Sequence, residues 1–102
     1  MLPVRLRERA LDDLDAAAAY YDEHAAHMTP PFIDAFLTAK THIAHHPRTG
    51  SKKYANNPRL KGLRFWLLTD FPYAVFYVER ASHIEIVRVL HQSADIPQHL
   101  QH

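Results

Sequence analysis

The chain has 102 residues, 47% hydrophobic and 11% aromatic, which is enough for one packed domain and too few for two. Cysteine is absent, excluding a disulfide frame or a cysteine-based zinc site. The opening MLPVRLRERA has no apolar signal core and no run is long enough to span a bilayer, so the expected location is the cytoplasm. The net charge of +1 is unevenly spread, with acids crowded into residues 8–34 and bases into 40–64, a polarity suited to a polyanionic or acidic partner rather than a neutral one.

Leu2, Val4 and Leu6 alternate with Pro3, Arg5 and Arg7, the pattern of a short edge-like strand. From Glu8 to His24 the period turns helical. Leu11, Leu14, Ala18 and Tyr21 recur on one face, and Asp12, Asp15, Asp22 and Glu23 lie mostly away from it. Thr29-Pro30-Pro31 predicts a helix start with Thr29 as N-cap and proline in the first turn. That helix runs to about His45, with Phe32, Ile33, Phe36, Leu37 and Ile43 facing inward. The short linker makes the two helices an antiparallel hairpin. Pro47 and Gly50 end it, and a polar connection to Lys61 follows. Between residues 40 and 64 stand Lys40, Arg48, Lys52, Lys53, Arg59, Lys61 and Arg64, with no acid. They form either a docking surface or a solvated loop balancing the acidic helix.

Three strand-like blocks come next: 62–68 (GLRFWLL), 71–78 (FPYAVFYV) and 83–91 (HIEIVRVLH), each rich in aromatic and β-branched residues. The turns between them are short, so they predict an antiparallel meander. One turn of helix is expected within 93–100. The order β-α-α-β-β-β predicts an α+β fold, a helical hairpin packed on one face of a small, mainly antiparallel sheet, with a short C-terminal helix. The first strand is expected to pair within that sheet, since alone it has no stability.

The wording of these blocks carries a resemblance. "GLR-aromatic", "FPY-x-V-F-Y", Arg88-Val89-Leu90-His91 and Asp95-Ile96-Pro97, with the upstream His46-Pro47-Arg48-Thr49-Gly50 turn, resemble the ParE branch of the RelE/ParE family, the toxins of bacterial type II toxin–antitoxin modules. Where that family usually has Gly after the histidine and Arg before the aspartate, this chain has Gln92 and Ala94. The resemblance implies the fold just read, a ParD-like antitoxin as neutralising partner, and DNA gyrase as a target inhibited by binding. For RelE-type relatives it implies ribosome-bound mRNA as the target and endoribonuclease chemistry. No cofactor and no membrane are implied, and a homodimer or a hetero-oligomer with the antitoxin is compatible with it.

The residues bear on that choice. A cation inside a sheet is costly unless paired or open to water. Arg64 and Arg88 are therefore expected either to converge on the helix-free face as a basic groove, rimmed by Lys52, Lys53 and Lys61, or to pair with acids. For Arg88 the expected partner is Glu79, Glu85 or Asp95, and an Arg88–Asp95 tie would give Asp95 a structural role. His91 is the one candidate for proton transfer, and cleavage of RNA needs a base, an acid and several cations together. No second acid or base follows it, which favours a binding inhibitor over an enzyme. His42, His45 and His46 have metal-compatible spacing, but histidines at a helix C-terminus are more simply explained by the dipole, and no metal is expected. Tyr20 and the edge of Trp66 are expected to remain exposed as antitoxin-binding surface.

Overall fold

The computed structural model describes residues 1–101, in the order β1 (Val4–Leu6), α1 (Glu8–His24), a 3-10 turn (Ala26–Met28), α2 (Thr29–His45), β2 (Arg64–Leu67), β3 (Tyr73–Glu79), β4 (Ile84–His91) and α3 (Ile96–His99). The fold is α+β, with the sheet ordered β1-β4-β3-β2. β2, β3 and β4 form the antiparallel meander, and β1 joins its far edge parallel to β4 through Val4↔Ile84 and Leu6↔Ile86. No helix is long and apolar enough to cross a membrane among the described residues.

The helical hairpin covers one face of the sheet. Its core is Ala10, Ala17, Phe32, Phe36, Ala39 and Ile43 against Val75, Tyr77, Ile84, Ile86 and Val89. The inward stripe of α1 therefore runs through Ala10, Leu14, Ala17 and Tyr21; Leu11, expected inside, is half exposed. In α2, Ile33 and Leu37 also face out, and the small Ala39 and Ala44 take the inner positions. Alanine at the contact lets a helix axis approach closely, so volume rather than hydrophobicity selects the face. Thr29 is the first residue of α2 and not its cap; its hydroxyl donates to Asp22 Oδ1 at 2.6 Å, stapling the hairpin turn.

The opposite face is not open. Leu60 and Leu63 of the 46–63 connection and Leu100 beyond α3 bury themselves against Ala74, Phe76, Val78, Val87 and Leu90. Asn57 holds this cover together: its Oδ1 accepts from the Arg59 and Leu60 amides, and its Nδ2 donates to the Leu100 carbonyl. The sheet is buried on both sides, which explains why β3 and β4 read as continuous apolar runs instead of alternating.

Glu85 ties the β1 end to the β3–β4 turn, accepting from Arg7 at 3.1 Å and Arg80 at 2.9 Å. Burial pushes its carboxyl up, but the hydrogen bonds and charges of the two arginines more than offset this and leave it below the usual 4.5. A carboxyl depressed in the folded state stabilises the fold above its unfolded value, and that contribution disappears as pH falls through the folded value. Stability measured by urea unfolding is therefore expected to decline below about pH 4.5, with a shallower decline in Glu85→Gln.

Candidate functional site

The basic connection is fastened to the sheet at its start. The Tyr77 hydroxyl, on the helix side of β3, donates to the Pro47 carbonyl at 2.7 Å and accepts from the Gly50 amide at 3.0 Å. Burial pushes the phenol up, and the Gly50 amide and nearby Arg64 only partly offset this. Gly50 is required by close approach: a Cβ there would lie 2.5 Å from the Tyr77 hydroxyl and 2.9 Å from the Phe65 carbonyl. Ser51 then exchanges both backbone hydrogen bonds with Phe65, adding a one-residue bridge to the outer edge of β2.

Arg64 belongs to this fastening. Its Nη1 donates to the carbonyls of Arg48 and Gly50, both at 3.1 Å, and among the described residues no carboxylate pairs with it. The side chain is only half buried, so its remaining donors stay within reach of a ligand. Lys52 and Lys53, one and two residues past the Ser51 bridge, are exposed, as are Arg59 and Lys61 farther along.

Arg88 is different, and its expected place in a shared groove is corrected. Its Nε and Nη2 form a bidentate pair with Asp13 of α1 at 2.8 and 2.9 Å, and its Nη1 donates to the His99 carbonyl at 3.1 Å. Hydrogen bonding to Asp13 holds the guanidinium charged above its ordinary pKa despite burial. The same carboxylate accepts from the Val89 amide, so one aspartate closes the part of the β4 edge that short β1 leaves unpaired. The arginines do not converge, for two reasons. β3 separates their strands, and a register shift leaves Val87 without a partner between Phe76↔Arg88 and Tyr77↔Ile86, which breaks the alternation that would place Arg88 with Ile86. Asp95 is likewise not the partner of Arg88; it caps α3, accepting from the Gln98 amide at 3.3 Å.

His91 ends β4 opposite Tyr73, while Arg64 lies opposite Tyr77. Four residues of strand separate the two positions, about 13 Å. His91 Nδ1 accepts from the Ser93 amide, which places the neutral proton on Nε2, and the Ser51 bridge that leads to Lys52 and Lys53 is made at Phe65, next to Arg64. The histidine and the cations are thus not assembled into one centre. Among the described residues no three His, Asp or Glu side chains are placed to hold one metal ion. His42 is instead stacked on Trp66, ring centroids 4.3 Å apart.

Tyr20 is 55% exposed and stacks on His24, on the hairpin rather than beside Trp66. Trp66 is half buried and helps form a groove of about 740 Å³ between α2 and the β2–β3 turn. Ala35, Leu67 and Phe71 line it with Trp66, and Asp34 and Asp70 stand at its rim. Sequence reading missed this groove, because Asp34 and Asp70 lie on different elements with no shared motif.

The family described as "ParE toxin of type II toxin-antitoxin system, parDE" matches residues 4–96 of this chain. A search of curated proteins finds no match. Among solved structures, a chain described as "Chromosomal ParDE TA system from P. aeruginosa" superposes with a TM-score of 0.74 at 17% sequence identity, covering 89% of this chain and 96% of that one. That likeness is one of fold.

Proposed function

Because this chain belongs to the ParE toxin family of type II toxin–antitoxin systems, we propose that it acts by docking on DNA gyrase and inhibiting it without chemistry of its own. We take it to be held silent by a ParD-like antitoxin. The observation that carries the reading is the fastened, acid-free connection with Lys52, Lys53 and Lys61 in solvent beside a half-exposed Arg64. Cations on a pinned connection favour association with an acidic macromolecular surface, mainly through the encounter rate. They lack the converged acid and base that cleavage of RNA requires.

The test runs a gyrase supercoiling assay beside a ribosome-dependent mRNA cleavage assay. The expected result is lost supercoiling with intact message; cleaved message with normal supercoiling overturns the reading in favour of a ribosome-dependent endoribonuclease. In that event His91→Ala would abolish cleavage, whereas gyrase inhibition is expected to survive this change. Exchanging Lys52, Lys53 and Lys61 together for glutamate is expected to weaken inhibition by about 10-fold or more, with a loss that shrinks as salt is raised. These side chains are exposed, so circular dichroism and the thermal midpoint should stay close to those of the parent.

A further inference from the structure

The acid-free stretch begins before the connection does. The last turn of α2 and the residue that ends it carry His42, His45 and His46, and no aspartate or glutamate occurs between Asp34 and Asp70. His45 and His46 are exposed, and His42 is half buried. Their rings form one patch, with centroids 5.2 Å apart for His42 and His46 and 6.3 Å apart for His45 and His46. The patch abuts the fastening of the connection. The Thr49 amide donates to the His46 carbonyl at 3.1 Å, His42 Nε2 lies 3.4 Å from the Thr49 hydroxyl, and Arg64 holds the Arg48 carbonyl between them.

We propose that these three histidines grade the cationic docking surface with pH, extending it from seven cations to ten between residues 40 and 64 as pH falls from about 8 to about 6. This deepens the proposed function and rests on it, since it names a regulation of the same surface. His42 accommodates both charge states in place. The neutral ring exchanges a hydrogen bond with the Thr49 hydroxyl in either tautomer, and the charged ring donates to the same oxygen. Its face lies on Trp66, centroids 4.3 Å apart at 21°, and an indole face attracts a cation. The C-terminal end of α2 adds the negative pole of the helix dipole. Protonation therefore adds charge while the connection stays fastened.

The surrounding charges act in both directions. Asp34 shares a hollow with all three histidines and Asp70 another with His42, and both favour the proton. Arg48 of the connection and Arg64 of β2 oppose it, and Glu79 of β3 is already engaged by Arg48 at 3.4 Å. On the other side of α2 the Leu2 amide donates to the Ala44 carbonyl, which brings the terminal ammonium near this end of the helix, with Lys40 one turn earlier. Repulsion among these cations spreads the titration, so the surface strengthens gradually instead of at a single pH. Glu85, held below 4.5, does not change charge in this window.

The full-length protein is bound to immobilised heparin, whose sulfates keep their charge over this range, and eluted with salt at about pH 8 and at about pH 6. The parent is expected to need more salt at the lower pH. A variant combining His42→Gln, His45→Gln and His46→Gln is expected to match the parent at the higher pH and to lose most of that rise. Glutamine keeps a hydrogen-bonding side chain beside Thr49 and a good helix propensity, so this variant should fold. A second variant, with His24→Gln, His27→Gln and His83→Gln, removes as many histidines from elsewhere and should keep the rise. On gyrase, the parent is expected to be about 10-fold more potent than the first variant at the lower pH and equal to it at the higher. Comparing the proteins at one pH cancels any pH dependence of gyrase itself. The same rise in all three proteins, its equal loss from both variants, or no rise in the parent would each overturn the inference. Failure of the parent to inhibit gyrase at either pH would sink the functional reading, and the heparin profiles would still decide what the histidines do.

Discussion

Asp13→Ala is expected to destabilise the fold by about 3–5 kcal/mol, measured by urea unfolding, because it strands a buried guanidinium. Arg88 retains 8% side-chain exposure and Asp13 14%, so water cannot replace the lost partner. The carboxylate also accepts from the Val89 amide, and its removal leaves that sheet-edge donor open as well. A loss of that size approaches the whole stability of a small domain, so Asp13→Asn is the informative companion. It keeps an acceptor for Val89 while removing the charge, and should cost less than alanine. The double variant Asp13→Ala with Arg88→Met should be markedly more stable than the sum of its single changes, since neither charge then remains buried alone. Additive single effects would show that the pair is not coupled.

Gly50→Ala has the second largest expected effect, about 3 kcal/mol, and its readout is functional as well as thermodynamic. The added methyl group meets the Tyr77 hydroxyl and the Phe65 carbonyl, so the chain must back away from the sheet. Backing away breaks the Tyr77 bonds to Pro47 and Gly50 and loosens the Arg64 clamp two residues before Lys52. Tyr77→Phe separates the two consequences. It removes the hydroxyl from a buried site without adding volume, at about 1–3 kcal/mol for the amide left unpaired. If the lysines act through their fixed placement, both variants should lose gyrase inhibition beyond what their unfolded fractions explain. Full inhibition by folded Gly50→Ala would show that placement is unimportant.

The sequence disclosed the helix ends at His24 and about His45, the meander, and the general form of the fold, because those features rest on local periodicity and on breakers such as Pro47 and Gly50. It did not disclose which stripe of α1 faces the sheet. There Ala10 and Ala17 displace the more hydrophobic Leu11, a choice made by the distance between packed elements. The partner of Arg88 was illegible for a different reason: Asp13 lies 75 residues away, and the register shift at Val87 changes which neighbours share a face. At the candidate site the cations could be named from sequence, and the fastening could not. It depends on one tyrosine hydroxyl, one arginine and three backbone carbonyls brought together only by β2–β3 pairing.

The parallel seam between Val4 and Ile84 joins the two ends of the chain in time as well as in space. During translation the first strand emerges long before β4, its neighbour in the sheet, a delay of roughly 4–16 s at about 5–20 residues per second. Until β4 appears, Asp13 lacks its Arg88 partner and the hairpin's apolar side lacks Ile84, Ile86 and Val89. Closure of the sheet therefore waits until synthesis is almost finished, and the same interval gives a chaperone its opportunity.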